Sequence, residues 1–167
     1  MSAAKPLLNP ANFPRPPKLE QVTRQLQVKW NNSVIASTNE AYWVLETFHP
    51  PTYYLPRSSL QPGFADKISK SSHSTYCEWK GRATYWDLRV PGDNQGDVTI
   101  GNRIWSYERP TKGFEPIKDY LSFYAGPWQC FVDDEEVIPQ PGDFYGGWTT
   151  SDIDTKYVKG AAGTRHW

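Results

Sequence analysis

Glu46, Arg57, Cys77 and Lys80 are the residues whose types and surroundings can carry chemistry in this sequence. The three charges lie in otherwise apolar, aromatic stretches, and a buried charge is costly unless paired. They therefore read in two ways. In one, Glu46 forms a structural ion pair with Arg57 or Lys80. In the other they form an anion site, where Arg57 offers a planar fork and Lys80 a point charge to phosphate or carboxylate. Glu46 then orients one of them or serves as base. Cys77 stands three residues before Lys80. A nearby ammonium favours a nucleophilic thiolate, whereas a buried cysteine otherwise acts as a small apolar group. No set of nucleophile, base and orienting group is readable in the chain.

Rings surround these groups. Tyr53, Tyr54, Tyr85, Trp86, Trp105 and Tyr107 read either as a stacking surface for a base or sugar or as core, and Trp86 favours the core. Ring-rich strands with Lys80 and Arg57 at one end suit a small, ring-bearing anion. His49, His73, Cys77 and Cys130 come from separate segments without paired ligand spacing, so no metal site is expected. Asp133 and Asp134 are neighbours, which face opposite sides of a strand. They read as the solvated tip of a hairpin rather than as Mg²⁺ ligands. Lys80-Gly81 lacks the glycine-rich lead-in of a phosphate-binding loop.

The element that must position Cys77 and Lys80 is the stretch Ser74–Trp86. From Arg82 onward it alternates as a strand, with Thr84, Trp86, Leu88 and Val90 on one face and Ala83, Tyr85, Asp87 and Arg89 on the other. Upstream, Gln25–Ser37 reads as a hairpin about Asn31-Asn32, and Ala41–Thr47 and Thr52–Leu55 as further strands. Ser69–Ser74 is polar and reads as a loop. Pro116–Tyr120 suits a single helical turn. Gln129–Val132 is a strand running into the acidic tip.

These elements imply an all-β or nearly all-β domain of curved antiparallel sheets over residues 25–138. A proline-rich arm, residues 1–24 with five prolines, precedes it. A Gly- and Trp-containing extension, residues 139–167, follows and is expected to be tied to the domain by Trp148 and Trp167. Eight Trp, ten Tyr and seven Phe, with 15 Pro and 12 Gly, fit a β-rich, loop-rich chain. The 18 basic and 18 acidic residues cancel, which argues against general nucleic-acid binding. No apolar run spans a membrane, no secretory leader is visible, and the two cysteines form no close pair. A cytoplasmic location is expected.

Several motifs carry a family resemblance. They are Val28-x-Trp30, Val34-Ile35-Ala36, Leu45-Glu46-Thr47, Pro51-x-Tyr53-Tyr54-x-Pro56-Arg57 and Ser74-Thr75-x-Cys77-x-Trp79-Lys80-Gly81-x-Ala83-x-Tyr85-Trp86. They continue with Trp105-x-Tyr107-x-x-Pro110, Ile117-x-x-Tyr120-x-x-Phe123-Tyr124 and Val132-Asp133. In their order, residues 28–138 resemble the domain of unknown function 427 family, which also carries a nucleotidyltransferase label. The tail, Gly147-Trp148-x-Thr150-Ser151-x-Ile153 onward, is similar to an extension of some members. Ser58-Ser59 depart from the pattern, since members often carry an acidic residue after the arginine. The resemblance implies a pocket near Tyr54, Arg57, Cys77 and Lys80, and Mg²⁺ only if the labelled activity holds.

Two functions follow as expectations. One is an enzyme acting on, or binding, a small phosphorylated or nucleotide-like anion. Glu46, Lys80 and Cys77 would form its catalytic set, and Arg57, Tyr54, Tyr85, Trp105 and Tyr107 would bind the ligand. The other is a non-catalytic module whose aromatic groove holds a ligand or a protein partner. In either, the terminal arms offer surfaces for a partner or for self-association.

Overall fold

The computed structural model describes residues 7–93, 96–142 and 144–160. Trp167, expected to help anchor the tail, lies outside them. Strands dominate, and each helical piece among the described residues is a three-residue 3-10 turn.

The chain begins its sheets with β1 (Lys18–Val22), β2 (Leu26–Trp30), β3 (Ser33–Thr38), β4 (Ala41–Leu45) and β5 (Thr52–Tyr54). Three long strands follow as a meander: β6 (Ile68–Cys77), β7 (Gly81–Pro91) and β8 (Asp97–Ser106). Then come β9 (Ser122–Phe123), β10 (Gln129–Val132), β11 (Glu135–Glu136), β12 (Ile138–Pro139) and β13 (Trp148–Thr149). They form antiparallel sheets in the orders β1-β4-β5, β11-β10-β2-β3, β12-β13 and β6-β7-β8-β9. The architecture is all-β, without a closed barrel.

Local chemistry explains the turns. The β2–β3 hairpin turns at Asn31 and Asn32 with φ of 45° and 70°, a left-handed conformation that asparagine tolerates. Asp133 and Asp134, with φ of 48° and 68°, form the tip between β10 and β11, as their residue types suggest. Asp133 also accepts a hydrogen bond from the Gln25 backbone N–H at 2.9 Å.

Two stretches differ from the sequence expectation. Ser69–Ser74, read as a loop, lies inside edge strand β6 and pairs with β7 across a bulge between Lys70 and Ser74. Its backbone ladder needs no apolar side chain, so a polar, mostly exposed edge leaves no hydrophobic alternation to read. Lys18–Val22, within the proline-rich stretch, pairs as β1 with β4 from Lys18↔Leu45 to Val22↔Ala41.

Alternation along the central strands divides the interior into two cores. Ala41, Tyr53, Leu55, Leu88, Val90, Ile104 and Phe123 join one cluster. Val44, Tyr54, Ala83, Tyr85, Trp105 and Tyr124 join the other. Successive residues point to opposite faces, so Tyr53 and Tyr54, Ile104 and Trp105, and Phe123 and Tyr124 each contribute one ring or side chain to each core. Reciprocal hydrogen bonds between Leu55 and Leu121, 2.8 and 2.7 Å, set β5 beside the β8–β9 edge. That junction makes the second core a continuous aromatic layer, and it is this layer that holds the site.

Candidate functional site

Lys80 belongs to the turn between β6 and β7. Gly81 follows it with φ +106°, a conformation costly for residues with a Cβ. A Cβ there would also meet the Arg109 carbonyl at 3.2 Å. The Thr111 N–H donates to the Lys80 carbonyl at 3.1 Å, and the Thr111 hydroxyl donates to the Trp79 carbonyl. So pinned, the turn directs the Lys80 side chain inward, where the residue is 6% exposed.

The side chain enters a cavity of about 200 Å³ against the second core. Tyr54, Tyr85, Trp105, Tyr107 and Tyr124 supply rings to its walls, Glu46, His49 and Cys77 supply reactive groups, and Gln140 and Phe144–Gly146 close it from the C-terminal side. The Lys80 ammonium lies 5.8 Å from the Tyr107 ring centre. It has no hydrogen bond and no carboxylate within 4 Å among the described residues. Burial works against its charge, but the acidic groups of Tyr107, Cys77, Glu46 and Tyr85 outweigh that, and its pKa stands above the ordinary lysine value. Burial pushes the Tyr107 phenol far up, and among the described residues Glu46 is the carboxylate of the cavity wall.

The Tyr54 hydroxyl is fully buried and lacks a hydrogen bond of proper geometry, although the Trp105 and Tyr107 side chains lie close to it. Burial pushes its pKa well up. By contrast, the Tyr85 hydroxyl is engaged with Thr75 Oγ1 at 3.0 Å, and the Tyr124 hydroxyl donates to the Phe144 carbonyl at 2.9 Å. Such a lining offers several donors. Lys80, Trp105 and Tyr54 contribute an ammonium, an indole N–H and a phenol, with one carboxylate, Glu46, among the described lining residues.

The structure thus brings Glu46, Tyr54, Cys77, Lys80, Tyr85, Trp105 and Tyr107 to one cavity. It leaves Arg57 elsewhere. Arg57 lies on an exposed turn, its guanidinium 4.6 Å over the Trp86 ring. The reason is strand parity: Trp86 packs against the main core and Tyr85 against the second. Arg57 covers the wrong face of β7. Arg57 is therefore not among the residues lining the Lys80 cavity, and no Glu46–Arg57 ion pair forms among the described residues.

Sequence reasoning did not assign His49, Gln140, Tyr124 or Tyr145 to this site. In the sequence His49 reads only as a candidate metal ligand. His73 packs on Tyr85 at 4.6 Å and Cys130 is buried in the main core, so the four zinc candidates do not converge. Among the described residues no group of three or more His, Cys, Asp or Glu is placed to hold a metal. Among the described residues Glu46 is the one carboxylate lining this cavity, which does not fit the converging acids of Mg²⁺-dependent nucleotidyl transfer. The alternation of Phe123 and Tyr124 could have revealed Tyr124; nothing local marks Gln140.

A second cavity of about 310 Å³ shares Glu46 and His49 with the first and adds Arg15, Glu78, Trp79 and Lys159. Arg15 and Lys159 come from opposite ends of the chain.

Fold and cavity together define an all-β domain with a lysine-bearing aromatic cavity on one face of its central strands. The chain belongs to the family described as domain of unknown function (DUF427), whose sequence profile matches residues 18–137. No curated protein sequence matches it. No helix among the described residues is long and apolar enough to cross a membrane.

Proposed function

We propose that the cavity binds a small, ring-bearing anion whose charged oxygens meet Lys80. The observation that carries this reading is the Lys80 ammonium, buried in a cavity wall without a counter-charge within 4 Å. An ammonium with no hydrogen bond and no paired carboxylate keeps its donors open to an anionic ligand. Tyr54, Tyr107 and Trp105 supply further donors and flat apolar surface. Phosphate and carboxylate share the required chemistry.

Size narrows the expectation. A cavity of 150 Å³ holds benzene, so about 200 Å³ suits a ligand on the order of ten non-hydrogen atoms. A whole nucleotide would have to extend past Glu46 and His49 into the second cavity. Glu46 as base and Cys77 as nucleophile reach the same space, which favours a catalytic role; a binding module would return its ligand unchanged.

The test is thermal unfolding of wild type and Lys80→Met with phenyl phosphate, benzoate, sugar phosphates and nucleotides, with and without Mg²⁺. A ligand at about 100 times its Kd adds about 2.7 kcal/mol, or roughly 5–10 °C for a domain of this size. A shift lost in Lys80→Met supports the site. Product analysis of the shifting compound then separates enzyme from module. No shift with any compound overturns the reading and turns attention to a protein partner.

A further inference from the structure

We propose that His49 binds the anion in the Lys80 cavity as a neutral imidazole, fixed by Gln140 so that Nε2–H is the donor. The inference rests on the anion-site reading and deepens it: the ligand oxygen meets two unlike donors, a charged lysine and an uncharged histidine.

The argument starts at Gln140, which is 3% exposed. Its Oε1 accepts from the Gly147 backbone N–H at 3.2 Å, and its Nε2 donates to the Lys159 carbonyl at 2.8 Å. A backbone N–H can only donate and a carbonyl can only accept, so these two partners assign the ends of the amide. The amide nitrogen therefore faces His49 Nδ1, 2.9 Å away. An amide N–H pointing at Nδ1 requires a lone pair there. The neutral ring must then carry its proton on Nε2.

Protonating Nδ1 would set N–H against N–H, and turning the amide over would break both backbone bonds. The surroundings act in the same direction. Burial lowers the His49 pKa, and the nearby ammoniums of Lys80 and Lys159 add to this against the opposing pull of Glu46 and the Gln140 contact. The ring packs edge-on against Tyr145 at 4.7 Å, which fixes its tilt. Nε2 has no protein partner among the described residues, while the ring lines both cavities. Its N–H is thus offered to whatever occupies them. Gln140, Tyr145 and Gly147 lie beyond the family-matched residues 18–137, so this chain's C-terminal segment sets the donor pattern of the site.

Long-range ¹H–¹⁵N correlation spectra of the full chain, labelled at its three histidines, read the tautomer directly. His49, assigned by its loss in His49→Asn, should show the Nε2–H pattern and stay neutral below the ordinary pKa of 6.5. Gln140→Glu places a carboxylate against Nδ1 and should give the Nδ1–H form at pH 9, turning a lone pair toward the ligand. Affinity for phenyl phosphate or benzoate at pH 9, by calorimetry, should then fall about tenfold, the equivalent of one hydrogen bond. A wild-type Nδ1–H pattern, or titration at an ordinary histidine pH, overturns the proposal without recourse to any variant. Unchanged probe affinity in Gln140→Glu also overturns it, yet leaves the Lys80 reading standing if Lys80→Met abolishes binding. Wild type that binds neither probe overturns both the reading and the part given to His49.

Discussion

Lys80 and Glu46 line the same cavity without forming an ion pair: no contact within 4 Å joins them. The expected outcome of Lys80→Met follows from this. Replacing a lysine that holds no paired carboxylate should leave the fold intact, while abolishing anion binding. Breaking a true buried pair would instead cost about 3–5 kcal/mol. Denaturant melts of the two proteins tell these apart.

Tyr54 carries a hydroxyl that is buried and lacks a hydrogen-bond partner among the described residues. Tyr54→Phe should be neutral or stabilising by up to about 1 kcal/mol without ligand. With a ligand that fills the cavity, the same change should weaken binding by about 1 kcal/mol, several-fold in Kd. Equal effects in both states would show that the hydroxyl does not meet the ligand.

Gly146 lies flat against Trp105. A Cβ built there would overlap the far edge of the indole ring. Gly146→Ala should therefore push the C-terminal segment away from the cavity, at about 1–3 kcal/mol, and open the site. Faster proteolysis within residues 140–147 and weaker anion binding are the expected readouts. An unchanged cleavage rate would mean that Trp105 gives way instead.

Arg24 holds Asp152 at 2.7 Å, with Asp152 3% exposed and Tyr53 Oη 3.1 Å from the same guanidinium. Burial pushes the Asp152 carboxyl up, but hydrogen bonds from Thr150 and Arg24 and the Arg24 charge hold it below the ordinary 3.8. A depressed folded pKa gives stability that is complete above the unfolded value and fades as pH falls through the folded one. Hydrogen exchange at Ile153 and Asp154 should thus stay slow down to about pH 4 and accelerate, beyond the intrinsic trend, at lower pH. Arg24→Ala should accelerate it at neutral pH too, by leaving Asp152 buried without its partner.

Much of the strand pattern and the hairpin tips were readable from the chain itself because they rest on local rules, and the order of motifs carried the family. Alternation marks Ala83–Val90 as a strand, Asn31-Asn32 and Asp133-Asp134 mark hairpin tips, and a Lys-Gly pair entering an aromatic strand marks a strand end. Those rules are carried by neighbours in sequence, so one chain suffices to apply them. What only the tertiary structure decided is which charges meet. Arg57 lies three residues beyond Tyr54 in sequence, yet covers Trp86 on the opposite face of β7. Gln140 is 91 residues from His49 and touches it. Burial, face and long-range contact depend on how sheets stack and where the tail returns. These relations are set by the whole chain together, and no local pattern encodes them.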